Sequence, residues 1–337
     1  MISSGPVSIT IDITNRCNLK CLHCYNSSGE GNFSDELTDI ELEKLFNDIV
    51  KIKPYNVCFC GGETLIRKDI VKKYTKLFTK NNIACSVVTN GFYLTSDLLD
   101  ELVNAGINNI QISLDGAEQS HNELRQHPHA YKKAVQALEL LKKYNNLYSG
   151  IAFSPTAWNI NDFEHVMHIA EKTNCNEVRL QELMPIGRAN QNISILPSQE
   201  QYRTLRRQVL IKERDYIEGK SNVKLDWGDP LEHLFFYTDE KKDDGAFTEM
   251  ISILSDGSLT PSVYLPITFG NIKKYPLQKY WDSGLNRIWN SKIIDDLVNK
   301  FDSIQNMQLS QQAIRDLNIV NSTYDIVENF QESVRRV

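Results

Sequence analysis

Cys17-Asn18-Leu19-Lys20-Cys21-Leu22-His23-Cys24-Tyr25 places three thiols within eight residues. The alternating run just before it, Val7, Ile9, Ile11 and Ile13, reads as a β-strand. Three soft ligands on one loop at a strand end point to a bound metal. Structural zinc usually takes four ligands in two short-spaced pairs, and no second pair follows at that distance. An iron–sulfur cluster is held by thiolates, and three of them on a cubane leave one iron open to a non-protein ligand. The same three cysteines also suit a redox-sensing loop or a structural metal site in a protein that is not an enzyme.

A second stretch separates these readings. Gly61-Gly62-Glu63-Thr64 closes the next apolar run, Val57-Cys58-Phe59-Cys60, about forty residues on. Glycines let a backbone approach a ligand closely, and a carboxylate offers an acceptor to an ammonium. The C-x3-C-x2-C loop followed by an aromatic, with a Gly-Gly-Glu turn after the second strand, resembles the radical S-adenosylmethionine (radical SAM) enzymes. That resemblance implies one [4Fe–4S] cluster on Cys17, Cys21 and Cys24. It also implies SAM on the open iron, Gly61, Gly62, Glu63 and Thr64 seating SAM, and Tyr25 beside the adenine. The implied chemistry is reductive cleavage of SAM to a 5′-deoxyadenosyl radical, which abstracts a hydrogen atom from a substrate. A sensor or zinc protein would need neither the glycine turn nor the barrel described next.

From Val7 to about Pro185 strand-like and helix-like segments alternate. Thr38-x-x-Glu41 is a capping box, followed by Leu42, Leu45, Phe46 and Ile49 at helical spacing. Strands are predicted at Val57–Cys60, Cys85–Thr89, Asn109–Leu114, Ser149–Ser154 and Glu177–Leu183. Helices are predicted at Lys68–Phe78, Ser96–Asn104, Tyr131–Tyr144 and Asp162–Lys172. Six βα units predict a parallel sheet with helices outside, and the family resemblance implies a (β/α)6 partial TIM barrel. Ligands of such folds sit at the carboxyl ends of the strands. Thr89-Asn90-Gly91 and Ser113-Leu114-Asp115-Gly116 end two of them and resemble the family's TNG and SLDG segments. By that resemblance Asn90, Ser113, Asp115, Arg125 and Leu183 join the SAM-binding set. His121-Asn122-Glu123-Leu124-Arg125 is similar to an H-D-x-x-R element of peptide-modifying members, with Asn122 in place of the aspartate.

The pattern changes after Leu183-Met184-Pro185-Ile186-Gly187-Arg188, which is reminiscent of the haem-biosynthesis branch. A long polar helix, Gln199–Glu218, an acidic loop, Asp239–Asp244, and an Asp256-Gly257 hairpin signal follow. Gly270-Asn271-Ile272, Tyr280-Trp281 and a helix from near Leu285 complete an order resembling the SPASM or twitch extension, a small α+β unit. The predicted divisions are a radical SAM core at 1–190, a helical bridge at 191–245, and a SPASM/twitch-like C-terminal domain at 246–337. Its usual cysteines are missing: Ser262 stands where one is expected, and none follows Cys175. Serine is a poor cluster ligand beside thiolate, so no auxiliary cluster is expected. The last residues, from Gln308, read as one or two helices.

At 337 residues, 41% hydrophobic and 24% charged, the composition is that of a soluble globular protein. The net charge of −6 gives no electrostatic reason to expect nucleic acid. No stretch is apolar enough to cross a bilayer, no signal peptide is apparent, and clustered free thiols suit the cytoplasm. The SPASM-like tail and the SLDG run resemble peptide maturases, which implies a ribosomally made peptide substrate and cross-linking or epimerisation. The resemblance also implies a flavodoxin- or ferredoxin-type reductant. A leader peptide would be bound by the tail or by a separate protein, since the first strand begins at Val7. A sugar or tetrapyrrole substrate is the alternative. Cys60, directly before the glycine turn, is a candidate hydrogen-atom donor to a substrate radical; otherwise it is a small buried apolar residue, as free cysteines often are.

Overall fold

The computed structural model describes residues 4–31, 33–239, 247–265, 267–299 and 324–329. The strands are β1 (Ser8–Asp12), β2 (Asn56–Cys60), β3 (Ala84–Thr89), β4 (Asn109–Ser113), β5 (Tyr148–Phe153), β6 (Glu177–Gln181), β7 (Lys224–Gly228), β8 (Met250–Ile253) and β9 (Leu259–Thr260). They form one sheet in the order β7-β6-β5-β4-β3-β2-β1-β8-β9. Neighbours from β7 to β1 all pair in parallel, as the βα alternation requires. The helices connecting these strands are α1 (Asp39–Ile52), α2 (Lys68–Lys80), α3 (Ser96–Ala105), α4 (Glu118–Arg125), α5 (Ala130–Leu141), α6 (Phe163–Lys172) and α7 (Gln199–Ile217). The capping box is present: the Thr38 hydroxyl accepts from Glu41 N–H, while the Glu41 carboxylate accepts from Thr38 N–H.

The two faces of the sheet differ because strand residues alternate. Ile9, Ile11, Val57, Phe59, Val87, Ile110, Ile112, Ile151, Phe153, Val178 and Leu180 are all buried in the main core. Phe46 of α1 and Phe78 of α2 lock onto Phe59 with ring centroids 6.1 Å and 6.1 Å away. Emptying one such aromatic site costs roughly 3–5 kcal/mol. The alternate positions carry Thr10, Asp12, Cys58, Cys60, Ser86, Gln111, Ser113 and Arg179. Small and polar residues therefore line the inside of the partial barrel, where solvent and ligands enter.

Three elements differ from the sequence reading. Residues 118–125, within which the sequence shows only the His121–Arg125 motif, form helix α4. Residues 224–228, in the expected helical bridge, form β7 and extend the parallel sheet beyond β6. The strand of the expected C-terminal unit, β8, pairs in parallel with β1, Ser8 opposite Met250, so one sheet runs across both anticipated boundaries. The Asp256-Gly257 turn is where the sequence places it, joining antiparallel β8 and β9, and Asp256 Oδ1 accepts from Ser258 N–H at 2.9 Å. Helix α8 (Pro230–Asp239) precedes the hairpin, and α9 (Leu277–Asp282) and α10 (Lys292–Val298) follow it. Most of the acidic loop and nearly all of the tail from Gln308 lie outside the described residues. No helix among the described residues is long and apolar enough to cross a membrane.

Candidate active site

The loop after β1 faces a cavity of about 220 Å³ at the carboxyl ends of the strands. Cys17, Cys21, Cys24, Tyr25, Cys60, Gly61, Gly62, Asn90, Ser113 and Arg125 all line it. Four segments far apart in the chain thus meet at one place. Glu63, Thr64, Asp115 and Leu183 do not line this cavity. The first three are buried against it, and Leu183 lines a neighbouring one.

The three thiols fit an iron–sulfur cluster. Leu19 N–H donates to Cys17 Sγ and Ser28 N–H to Cys24 Sγ, each at 3.4 Å, and Arg125 Nη1 lies 3.9 Å from Cys21 Sγ. Such donors favour thiolate sulfur. Burial pushes Cys21 up to about 12, with Arg125 pulling the other way, so loading a cluster on this thiol releases a proton. Among the described residues no three His, Cys, Asp or Glu side chains converge closely enough to hold a single metal ion. A cubane spreads its thiolates over three corners and does not need that convergence.

The glycine turn also packs against the loop that carries the thiols. A Cβ at Gly62 would lie 2.3 Å from the carbonyl oxygen of Arg16, and one at Gly61 would lie 2.3 Å from that of Thr14. Gly62 N–H donates to Thr14 O at 2.7 Å and Glu63 N–H to Arg16 O at 2.8 Å. The close approach is therefore to the backbone entering the cluster loop. Glu63 is likewise turned inward. Its carboxylate accepts from Thr89 Oγ1 at 2.6 Å, Asn90 N–H at 2.9 Å and Leu65 N–H at 3.0 Å. Burial still raises it above the ordinary carboxylate range despite these three donors. Thr64 Oγ1 donates to Val88 O at 2.9 Å, a second tie between the turns. Asn90 reaches the cluster loop directly, donating to Asn18 Oδ1 at 2.9 Å.

Asp115 is the hub beneath the loop and is fully buried. Arg125 Nε and Nη2 each lie 2.7 Å from Asp115 Oδ2, His23 Nε2 lies 3.2 Å from the same oxygen, and Ser154 N–H donates to Oδ1 at 3.0 Å. Burial pushes the carboxyl up, but Arg125 and then His23 outweigh it and hold it below the usual range. The His-x-x-x-Arg spacing is one turn of α4, so His121 and Arg125 share a face. His121 Nδ1 accepts from Asp115 N–H at 2.9 Å, and burial beside Arg125 lowers it to about 3, keeping it neutral. Asn122, which departs from the family pattern, accepts from Tyr131 N–H and donates to Pro128 O, tying α4 to α5.

Arg188 carries no role that the sequence pattern reveals. Its guanidinium donates to Cys21 O and Ser28 O, both at 2.9 Å, and pairs with Glu30 at 3.0 Å. Gly187, with φ of +57°, lets this segment lie against the Cys24 and Tyr25 carbonyls, which a Cβ would meet at 2.6 and 2.3 Å. Cys58 and Cys60 point to one side of β2 with their sulfurs 3.5 Å apart, and Cys60 alone of the two reaches the cavity. Ser262 is buried and its Oγ accepts from Tyr264 N–H, a turn role in place of the cysteine of the resembling domain.

Residues 11–170 match the Radical SAM superfamily model. The chain carries a radical SAM domain. It is 23% identical over 302 residues to the AdoMet-dependent heme synthase of Methanosarcina barkeri, covering 84% of each chain. It is 27% identical over 222 residues to the mycofactocin maturase MftC of Mycolicibacterium smegmatis, covering 66% of this chain but 56% of that relative. The fold is shared with native anSMEcpe solved with bound AdoMet, at TM-score 0.66, 18% identity, and 94% and 99% coverage of this chain and that one. That protein is also solved with a Cp18Cys peptide. The domain's cofactors are accordingly a [4Fe–4S] cluster and SAM.

Proposed function

We propose that this protein is a radical SAM enzyme acting on a ribosomally made peptide, with Cys17, Cys21 and Cys24 holding the cluster. The observation that carries the reading is the meeting of these thiols with Gly61, Gly62, Asn90, Ser113 and Arg125 around one cavity at the strand ends. When bound, the cluster and SAM supply a one-electron cleavage that yields a 5′-deoxyadenosyl radical for hydrogen-atom abstraction. The chain's residues position and enclose. Gly61 and Gly62 hold the cavity wall against the cluster loop, Glu63 fixes the glycine turn to Thr89 and Asn90, and Tyr25 forms the wall on which an adenine ring can lie. Arg125, held by Asp115, keeps a positive charge beside Cys21. The hydrogen bond with the Cys58 sulfur, and then burial, hold the Cys60 thiol well above its usual range, so it stays protonated. In that state it can give a hydrogen atom to a substrate radical. An electron from a flavodoxin- or ferredoxin-type donor and a proton from water then restore the thiol. That sequence suits epimerisation, while a cross-link would release an electron.

The likeness to maturases and to a fold solved with a peptide supports the peptide substrate, and the free thiols suit a cytoplasmic, reducing setting. A tetrapyrrole is the second reading, favoured by the heme synthase match along 84% of each chain. Anaerobic reconstitution followed by dithionite and SAM tests the chemistry. Wild type should form 5′-deoxyadenosine and carry about four irons per chain, the content of one cubane. The Cys17→Ala variant should do neither. A demonstrably loaded cluster without 5′-deoxyadenosine sinks the proposal, and eight or more irons sink the single-cluster reading.

A further inference from the structure

A second cavity, of about 290 Å³, adjoins the cluster cavity, and His23, Tyr25 and Ser154 line both. Its other walls come from the ends of β4, β5 and β6 and from the Val263–Tyr264 turn. Two observations mark it as built for a ligand. The His23 side chain is 9% exposed, with Nε2 held at 3.2 Å by Asp115, while Nδ1 has no hydrogen-bond partner among the described residues. A carboxylate on Nε2 puts the hydrogen there and leaves Nδ1 a bare acceptor, which is a costly thing to bury unless something bound donates to it.

The second observation is Arg179. It sits mid-strand in β6 between Val178 and Leu180, which are buried in the core on the other face, so its side chain enters the barrel. There it lines the second cavity and is half exposed. Its ion pair with Asp226 runs through Nε at 3.4 Å between half-exposed partners, a weak tie that leaves the guanidinium's two Nη groups uncommitted among the described residues. Its charge is felt by Cys58, Cys60 and Tyr264, which places it over the barrel interior. Glu182, the one carboxyl lining this cavity among the described residues, is raised to about 7 by burial and then by Asp229, so it opposes an entering anion only in part. Gln111 and Gln181 add neutral amides. The volume is at the small end for ligand pockets and leaves room for one side chain.

We propose that this cavity is the substrate subsite, that it takes a carboxylate-bearing side chain of a peptide, and that Arg179 is the residue that selects it through a two-pronged contact. The inference rests on the peptide reading above.

The test uses cluster-loaded protein with SAM, without reductant, titrated anaerobically with N-acetyl-glutamate N-methylamide, its aspartate homologue and their glutamine and asparagine counterparts, followed by ligand-observed NMR. The better acid should bind at least about tenfold tighter than its amide. Arg179→Gln should reduce that preference to within about twofold, and Arg179→Lys should keep part of it, since lysine retains the charge without the fork. No acid preference in wild type, or the same preference in Arg179→Gln, overturns the assignment. Binding of a tetracarboxylate porphyrin with no response to any amino-acid probe overturns the peptide side chain as occupant. The same wild-type preparation, reduced and assayed for 5′-deoxyadenosine, reports separately on the radical SAM chemistry.

Discussion

Replacing Gly62 by alanine separates two explanations of the glycine turn. If the glycine exists to admit SAM, the protein without cluster or SAM should not notice the change. The structure says otherwise, because the added Cβ would sit 2.3 Å from Arg16 O, 2.7 Å from Arg16 C and 2.7 Å from Asn15 O. All three are backbone atoms, so no side chain can swing away, and the two segments must part by roughly 1 Å to reach ordinary contact. The bonds at stake are Gly62 N–H to Thr14 O and Glu63 N–H to Arg16 O. Two hydrogen bonds at about 1 kcal/mol each, with overpacking of about 1–3 kcal/mol, give a destabilisation of roughly 3–5 kcal/mol. That is a large share of the roughly 5–15 kcal/mol that holds a typical protein folded. Urea unfolding of the iron-free variant, kept reduced, should therefore show a clearly lowered midpoint, and reconstituted iron per chain should fall as well. A wild-type midpoint in iron-free Gly62→Ala would refute the docking argument and return the glycine to a purely ligand-facing role.

Arg188→Met should lose most reconstituted iron, because about 3–6 kcal/mol of charge-assisted bonding to Cys21 O and Ser28 O disappears from the loop; full iron content by colorimetric assay would count against it. Asp12, 3% exposed, is raised from 3.8 to about 7 by burial and then by Asp256. The folded state keeps a proton that the unfolded chain releases, so the stability tied to protonated Asp12 is full below about pH 4 and gone once pH has risen through 7. Over that window it amounts to at most about 4 kcal/mol. Iron-free Asp12→Asn should flatten the stability profile between pH 5 and pH 8 relative to wild type, as chemical denaturation at each pH would show; parallel profiles would mean that Asp12 titrates normally.

The three-thiol loop was legible because one short segment supplies all three cysteines and a strand pattern leads into it. The parallel barrel was legible for a similar reason, since each βα unit writes its own periodicity. Helix α4 was not. Its octet Glu118–Arg125 holds a single apolar residue, Leu124, and so carries no helical stripe to read. Strand β7 offers only Leu225 as a fully buried residue, and it becomes a strand because β6 presents an open edge beside it. Arg188 shows a further limit: its partner carbonyls lie 167 and 160 residues earlier, and main-chain acceptors leave no trace in side-chain pattern.

Asp115 shows how a motif can be visible while its work is hidden. The Ser113-Leu114-Asp115-Gly116 run and the following His-x-x-x-Arg could be read, and the resemblance assigned Asp115 and Arg125 to SAM. In the fold Asp115 is fully buried, off the cavity, and draws together Arg125 from α4, Ser154 from the end of β5 and His23 from the cluster loop. Arg125 pairs with Asp115 and also reaches Cys21 Sγ at 3.9 Å. The buried carboxylate is held ionised first by the cation beside it and then by His23, and the same carboxylate holds that cation beside a thiol. Neither residue can be replaced singly without leaving a buried, uncompensated charge next to the ligand loop. The spacing between the two is therefore a constraint on the charge at the cluster site, whatever else Arg125 touches in the cavity.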